Sequence, residues 1–159
     1  MIDRFELTPA LAEQISAHAR ECFPEEACGI IAGAGEKGTT LHRGRNISPT
    51  PRVAFEVDTD TLARQLDFEH AGLAMTAIYH SHPVGPETPS SIDIDQASEG
   101  YPDSVTIICS LTEVRNPVLR AFRIDRGQAR EIALVQVGEV VTLTNPPLVT
   151  TLHAKETRA

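Results

Sequence analysis

The chain predicts an α/β fold: three layers, with a mixed central β-sheet flanked by helices. Three observations carry that expectation. Strand-like and helix-like segments alternate through the first two-thirds of the chain and strands dominate after it, a pattern that sets helices against the faces of a mixed sheet. Residues 27–33, Ala-Cys-Gly-Ile-Ile-Ala-Gly, are apolar at both alternating sets of positions, as a strand covered on both faces must be. A length of 159 residues, 41% hydrophobic and 23% charged, suits one domain with one core.

Thr8 can cap a helix and Pro9 suits its first position. Leu11, Ile15, His18 and Cys22 recur at helical spacing, so 9–21 is expected to be an amphipathic helix that Pro24 ends. The buried strand 27–33 follows, with shorter strands expected at 39–45 and 53–57. A second helix is expected at 59–70, capped by Asp58 or Asp60. The β-prone run Ala74–Tyr79 leads straight into His80. Next come a Pro/Gly-rich loop at 83–89, a short helix at 91–99 and a strand at 104–110. Strands at 118–125 and 129–137 should form a hairpin around Asp125-Arg126-Gly127. Residues 1–143 are expected to form the single domain, and 144–159, with Pro146 and Pro147, a surface arm or frayed tail.

A net charge of -8 argues against a nucleic-acid backbone as partner. The cluster Arg115, Arg120, Arg123, Arg126 and Arg130 reads as solvent-facing positions on antiparallel strands. No stretch approaches the ~18 apolar residues of a membrane span. Met1–Glu6 carries acids where a signal peptide would have a basic region. The expectation is a cytoplasmic protein without a membrane partner. Cys22, Cys28 and Cys109 form no CxxC, so neither a disulfide framework nor a cysteine zinc site is indicated.

The informative string is His80-Ser81-His82-Pro83, followed by Ser90-Ser91-Ile92-Asp93. Histidines two apart on a strand share a face about 6.6–6.8 Å apart at the backbone, from which two imidazoles can reach one metal. Asp93 would add an oxygen ligand, and three such ligands leave a fourth position for water, as in catalytic zinc sites. Each piece has a plainer reading. An isolated HxH is commonly incidental, and Ser90-x-x-Asp93 is also a helix-capping arrangement. The two readings are compatible, because a capped helix end is a rigid mount for a ligand. Pro83, Pro86 and Pro89 would stiffen the intervening loop, or simply make a turn. Upstream, Glu25 and Glu26 both stand ready to supply a carboxylate, and strand alternation does not choose between them.

His80-x-His82, seven residues, Ser90, two residues and Asp93 together resemble the signature of the JAMM (MPN-plus) zinc metallopeptidases. Pro24-Glu25-Glu26-Ala27-Cys28-Gly29 resembles that family's upstream Pro-x-Glu-x-x-Gly. The likeness extends over roughly residues 5–135 and is strongest to small bacterial members that process sulfur-carrier proteins. It implies an MPN fold of the cytidine-deaminase-like type, and one zinc per chain, with a bound water, held by His80, His82 and Asp93. It also selects Glu26 over Glu25 as the proton carrier, taken to be ionised near its reference pKa of about 4.3, and Ser90 as donor to the oxyanion. The implied partner is a small ubiquitin-fold or sulfur-carrier protein bound through its C-terminal tail, cleaved at an amide bond to release cysteine or another small amine. A deubiquitinase-like isopeptidase and a non-catalytic scaffold are the rival readings, and a homodimer stays open. A zinc deaminase is disfavoured, since no Pro-Cys-x-x-Cys follows the histidines. Ser81 is expected to point away from the metal. Cys28 is expected to be a small buried residue, and His18, His42, His70 and His153 to be structural or surface residues.

Overall fold

The computed structural model describes residues 3–143 and 148–157, with side chains as far as 138. In chain order the elements are β1 (Arg4–Leu7), α1 (Pro9–Cys22), β2 (Cys28–Ala34), β3 (Lys37–Arg43), α2 (Thr59–Leu62) and α3 (Gln65–His70). They continue with β4 (Ala74–His82), α4 (Ser91–Gly100), β5 (Val105–Ser110), β6 (Val118–Asp125), β7 (Gln128–Leu143) and β8 (Leu148–Thr157). The strands form an 8-stranded mixed sheet in the order β1-β3-β2-β4-β5-β6-β7-β8. The β4–β5, β1–β3 and β1–β7 pairs are parallel. Because β1 pairs with both β3 and β7, the sheet closes on itself.

Helices cover both faces, as the doubly apolar β2 requires. On one face α1 sets Leu11, Ile15 and Ala19 against Phe5, Ile31, Tyr79, Ile107 and Leu134. Thr8 caps α1, its Oγ1 accepting the Leu11 N–H at 3.1 Å, and Pro9 occupies the first turn. On the other face Cys28, Ile30 and Ile78 pack beneath Phe55, Val57 and Phe68. There α4 adds Ala97 over Ile108, Phe122 and Ile124. Strand alternation therefore divides β4. Ala77 and Tyr79 face α1, whereas Ile78 faces the opposite layer, and His80 and His82 follow it there at the same period.

The structure departs from expectation in four places. β1 was not foreseen. No strand forms at 53–57: Val57 makes only an isolated bridge to Asn46, because the Asn46 side chain takes the backbone groups a neighbouring strand would use. Its Nδ2 donates to Ala54 O at 3.0 Å, and its Oδ1 accepts the Glu56 N–H at 3.1 Å. The helix expected at 59–70 is broken into α2 and α3, where Arg64 and Leu66 bond three residues back instead of four; Asp58 is the cap of α2. Finally, β7 runs on to Leu143, and residues 148–157 of the expected arm or tail pair with it antiparallel. The β6–β7 hairpin is as expected. Arg126 and Gly127 both take positive φ, 52° and 75°, the two-residue turn that matches strand twist. Among the described residues no helix is long and apolar enough to cross a membrane.

Candidate metal centre

His80 and His82 stand at the C-terminal end of β4, and are 0% and 6% exposed. Asp93, 5% exposed, sits in the first turn of α4. That turn is locked by a capping box. Ser90 Oγ accepts the Asp93 N–H at 3.1 Å, and Asp93 Oδ2 accepts the Ser90 N–H at 2.9 Å. The rigid turn aims Asp93 Oδ2 at both imidazoles, 3.2 Å from His80 Nε2 and 3.0 Å from His82 Nε2, which are 3.1 Å from each other. A tetrahedral zinc with Zn–N bonds of about 2.0–2.1 Å needs ligand atoms ~3.3 Å apart. The triangle fits.

Its chemistry fits as well. The Pro86 carbonyl lies 2.7 Å from His82 Nδ1 and can only accept, so Nδ1 carries the proton and a neutral ring turns the Nε2 lone pair inward. The Phe55 ring stacks on His80 with centroids 4.3 Å apart, and the buried His80 Nδ1 has no partner. Glu26 is 5% exposed, whereas Glu25 is exposed. Glu26 offers an oxygen that lies, with one nitrogen each of His80 and His82, within a 4.8 Å cluster. Its buried Oε1 has no hydrogen-bond partner. Converging lone pairs and an orphaned carboxylate oxygen are what a cation with one free position would satisfy.

Burial shapes the electrostatics. It pushes Glu26 up to about 7, with His82 opposing and Asp93 reinforcing. Burial alone thus lifts it above the ordinary carboxylate range, and a divalent cation beside it would act in the opposite sense. Burial also works against an ionised Asp93, but the two imidazoles beside its Oδ2 and the Ser90 N–H outweigh it and hold the carboxyl well below the usual range. His80, wholly buried, is pulled down.

The structure thus brings Glu26, His80, His82 and Asp93 together, with Ser90 at the rim. Ser81 points to the other face, as expected, but it has a defined partner: its Oγ accepts the Ala27 N–H at 2.8 Å. Cys28 is fully buried and its thiol is pushed up to about 12 by burial, which leaves it inert. His18 is buried against Tyr79, with Nδ1 and OH 2.8 Å apart. Sequence reasoning missed Asn46, Phe55 and the Pro86 carbonyl. The only signal for Asn46 was its place in a turn-rich Gly44–Pro49 stretch.

Comparison with known proteins points the same way. The family of prokaryotic homologs of the JAB domain matches residues 8–125. A desampylase from Haloferax volcanii is 36% identical over 67% of this chain and 81% of its own length. A probable TtuB-protein conjugate cleaving protease from Thermus thermophilus is 36% identical over 79% and 78%. The CysO-cysteine peptidase of Mycobacterium tuberculosis is 30% identical over 76% and 83%. A solution structure from Desulfitobacterium hafniense superposes with a TM-score of 0.69 at 31% identity, over 82% of this chain and 92% of that one.

Proposed function

The chain belongs to the prokaryotic homologs of the JAB domain, and from that premise we propose that it is a zinc peptidase acting on a small ubiquitin-like carrier protein. The scissile bond is an amide or isopeptide at the carrier's C-terminal tail. The observation that carries this reading is the triangle of His80 Nε2, His82 Nε2 and Asp93 Oδ2 at 3.0–3.2 Å, with the buried carboxylate of Glu26 beside it. His80, His82 and Asp93 hold the metal. Glu26, whose oxygen lies within 4.8 Å of a nitrogen of each histidine, is kept for the water.

Zinc held by His80, His82 and Asp93 would supply an activated water and polarise the scissile carbonyl. Glu26 is the residue that would accept a proton from the attacking water and return one to the leaving amine. Ser90 accepts the Asp93 N–H through its oxygen, so its own hydrogen is free to donate to the developing oxyanion. An extended tail can lie beside the site as an added strand, its main-chain groups holding the bond in place. The reading places the catalytic unit within residues 1–143, with 148–157 laid along β7 as a further strand. It sets the enzyme in the cytoplasm, in keeping with three free cysteines.

Two readings of the leaving group remain, and identity favours one of them. The two 36% relatives are named for conjugate cleavage or desampylation, the 30% relative for a cysteine peptidase, which supports a protein leaving group over a small amine. Metal analysis should find one zinc per chain, lost in His80→Ala and Asp93→Ala. Glu26→Gln should keep zinc and lose about 10²–10⁴-fold in kcat. Carriers ending in cysteine and carriers joined to a lysine should be offered side by side and the products weighed. Native protein without zinc, or an active Glu26→Gln, would leave a scaffold or another mechanism.

A further inference from the structure

The carboxylate thought to move protons has little to hold it. Glu26 lies in the linker between α1 and β2, ahead of the first ladder pair, Cys28 with His80, and its Oε1 has no partner. Its aim therefore depends on its backbone, and there the structure is unusually explicit. The peptide unit joining Glu26 to Ala27 is gripped at both polar groups by side chains. Asn46 Nδ2 donates to Glu26 O at 3.0 Å, and the Ala27 N–H donates to Ser81 Oγ at 2.8 Å. The neighbouring groups are held as well, Glu26 N by Pro51 O at 2.7 Å and Ala27 O by Ser81 N at 3.0 Å.

Asn46 is committed to this geometry. Nδ2 also donates to Ala54 O at 3.0 Å, and Oδ1 accepts the N–H groups of Ser48 and Glu56 at 3.0 and 3.1 Å. One amide thus fastens the 46–56 loop to the Glu26 backbone, and the same loop lays Phe55 on the His80 ring. Ser81 grips from the opposite side, between the two histidines in sequence but on the other face of β4.

We propose that Asn46 and Ser81 are positioning residues that clamp the Glu26–Ala27 peptide and so aim the Glu26 carboxylate at the metal centre. The clamp rests on the function proposed above. A displacement of about 1 Å in a reacting group can cost ~10²-fold in rate, while the zinc ligands, borne by β4 and α4, should not feel it.

Asn46→Asp keeps the shape and the Oδ1 acceptor but loses the donor to Glu26 O. It should lower kcat by about 10–10²-fold, with KM and zinc content as in wild type, and Ser81→Ala should do the same from the other side. Combined with Glu26→Gln, either change should cost less than about 2-fold more, because its route to the chemistry is gone. An undiminished kcat in both single variants overturns the clamp, as does loss of zinc, or an equal penalty in the Glu26→Gln background. Full activity of Glu26→Gln alone overturns the underlying reading and the clamp with it. If Asn46→Asp does not fold, Ser81→Ala and its double variant decide.

Discussion

Ser90 has two duties on one hydroxyl, and they can be separated. As a cap it accepts the Asp93 N–H; as the proposed oxyanion donor it uses its hydrogen. Glycine replaces a capping serine at a cost of a few tenths of a kcal/mol and alanine at about 1 kcal/mol, while both remove the donor. Ser90→Gly should therefore melt near the wild type yet lose about 10²–10³-fold in kcat. A rate loss that tracks melting temperature, larger for alanine than for glycine, would leave capping as its sole duty. Across the sheet, burial and the nearby Arg43 draw the His18 pKa from 6.5 to about 4. The folded protein holds this ring neutral, so the unfolded chain binds the proton first as pH falls. Its contribution is complete above pH ~6.5 and drains away toward pH ~4, by on the order of 2 kcal/mol once solvent screening is allowed for. Melting curves over that range should fall less steeply for His18→Gln than for the wild type.

Between β2 and β4 the contact is close enough to dictate residue type. A Cβ at Gly29 would lie 2.5 Å from two ring carbons and the hydroxyl oxygen of Tyr79, and Tyr79 is 1% exposed and hydrogen-bonded to His18. Gly29→Ala should destabilise by about 1–3 kcal/mol, measurable by denaturant titration. Such elements differ in how far they can be read from sequence. α1, β2, β4 and α4 were legible because a cap, a two-faced apolar run or a fixed spacing marks each one locally. β1 was not: four residues carry too little pattern, and its partners lie in β3 and β7. The 53–57 segment has β-prone residues, but the Asn46 amide takes over its backbone bonds. The centre shows the same division. His80, His82 and Asp93 follow from period and spacing, whereas the choice of Glu26 over Glu25 depends on which side chain the linker buries. Phe55 and Asn46 enter through the closure of a loop, which no local period records.

Charge, core and topology together make a body whose two helical faces do different work. The α1 face is packed with aliphatic and aromatic side chains around the His18–Tyr79 pair; the other carries the candidate metal centre under the 46–56 loop and α4. The ladder on which the centre rests, from β2 through β4 to β5, is complete by Ser110.

The closed sheet has a consequence for the order of assembly. Arg4–Leu7 pair with Ala133–Gln136, so β1 cannot complete its pairing until β7 is made, whereas β4, which bears both histidines, finds its partners in β2 and β5 much sooner. Contacts so distant along the chain are slow to form. In refolding followed by pulsed hydrogen exchange, amides of β2 and β4 should be protected before those of β1. Simultaneous protection would mean that seam and centre condense as one unit. In the expected order, a folding chain brings His80 and His82 into their ladder before its sheet is sealed.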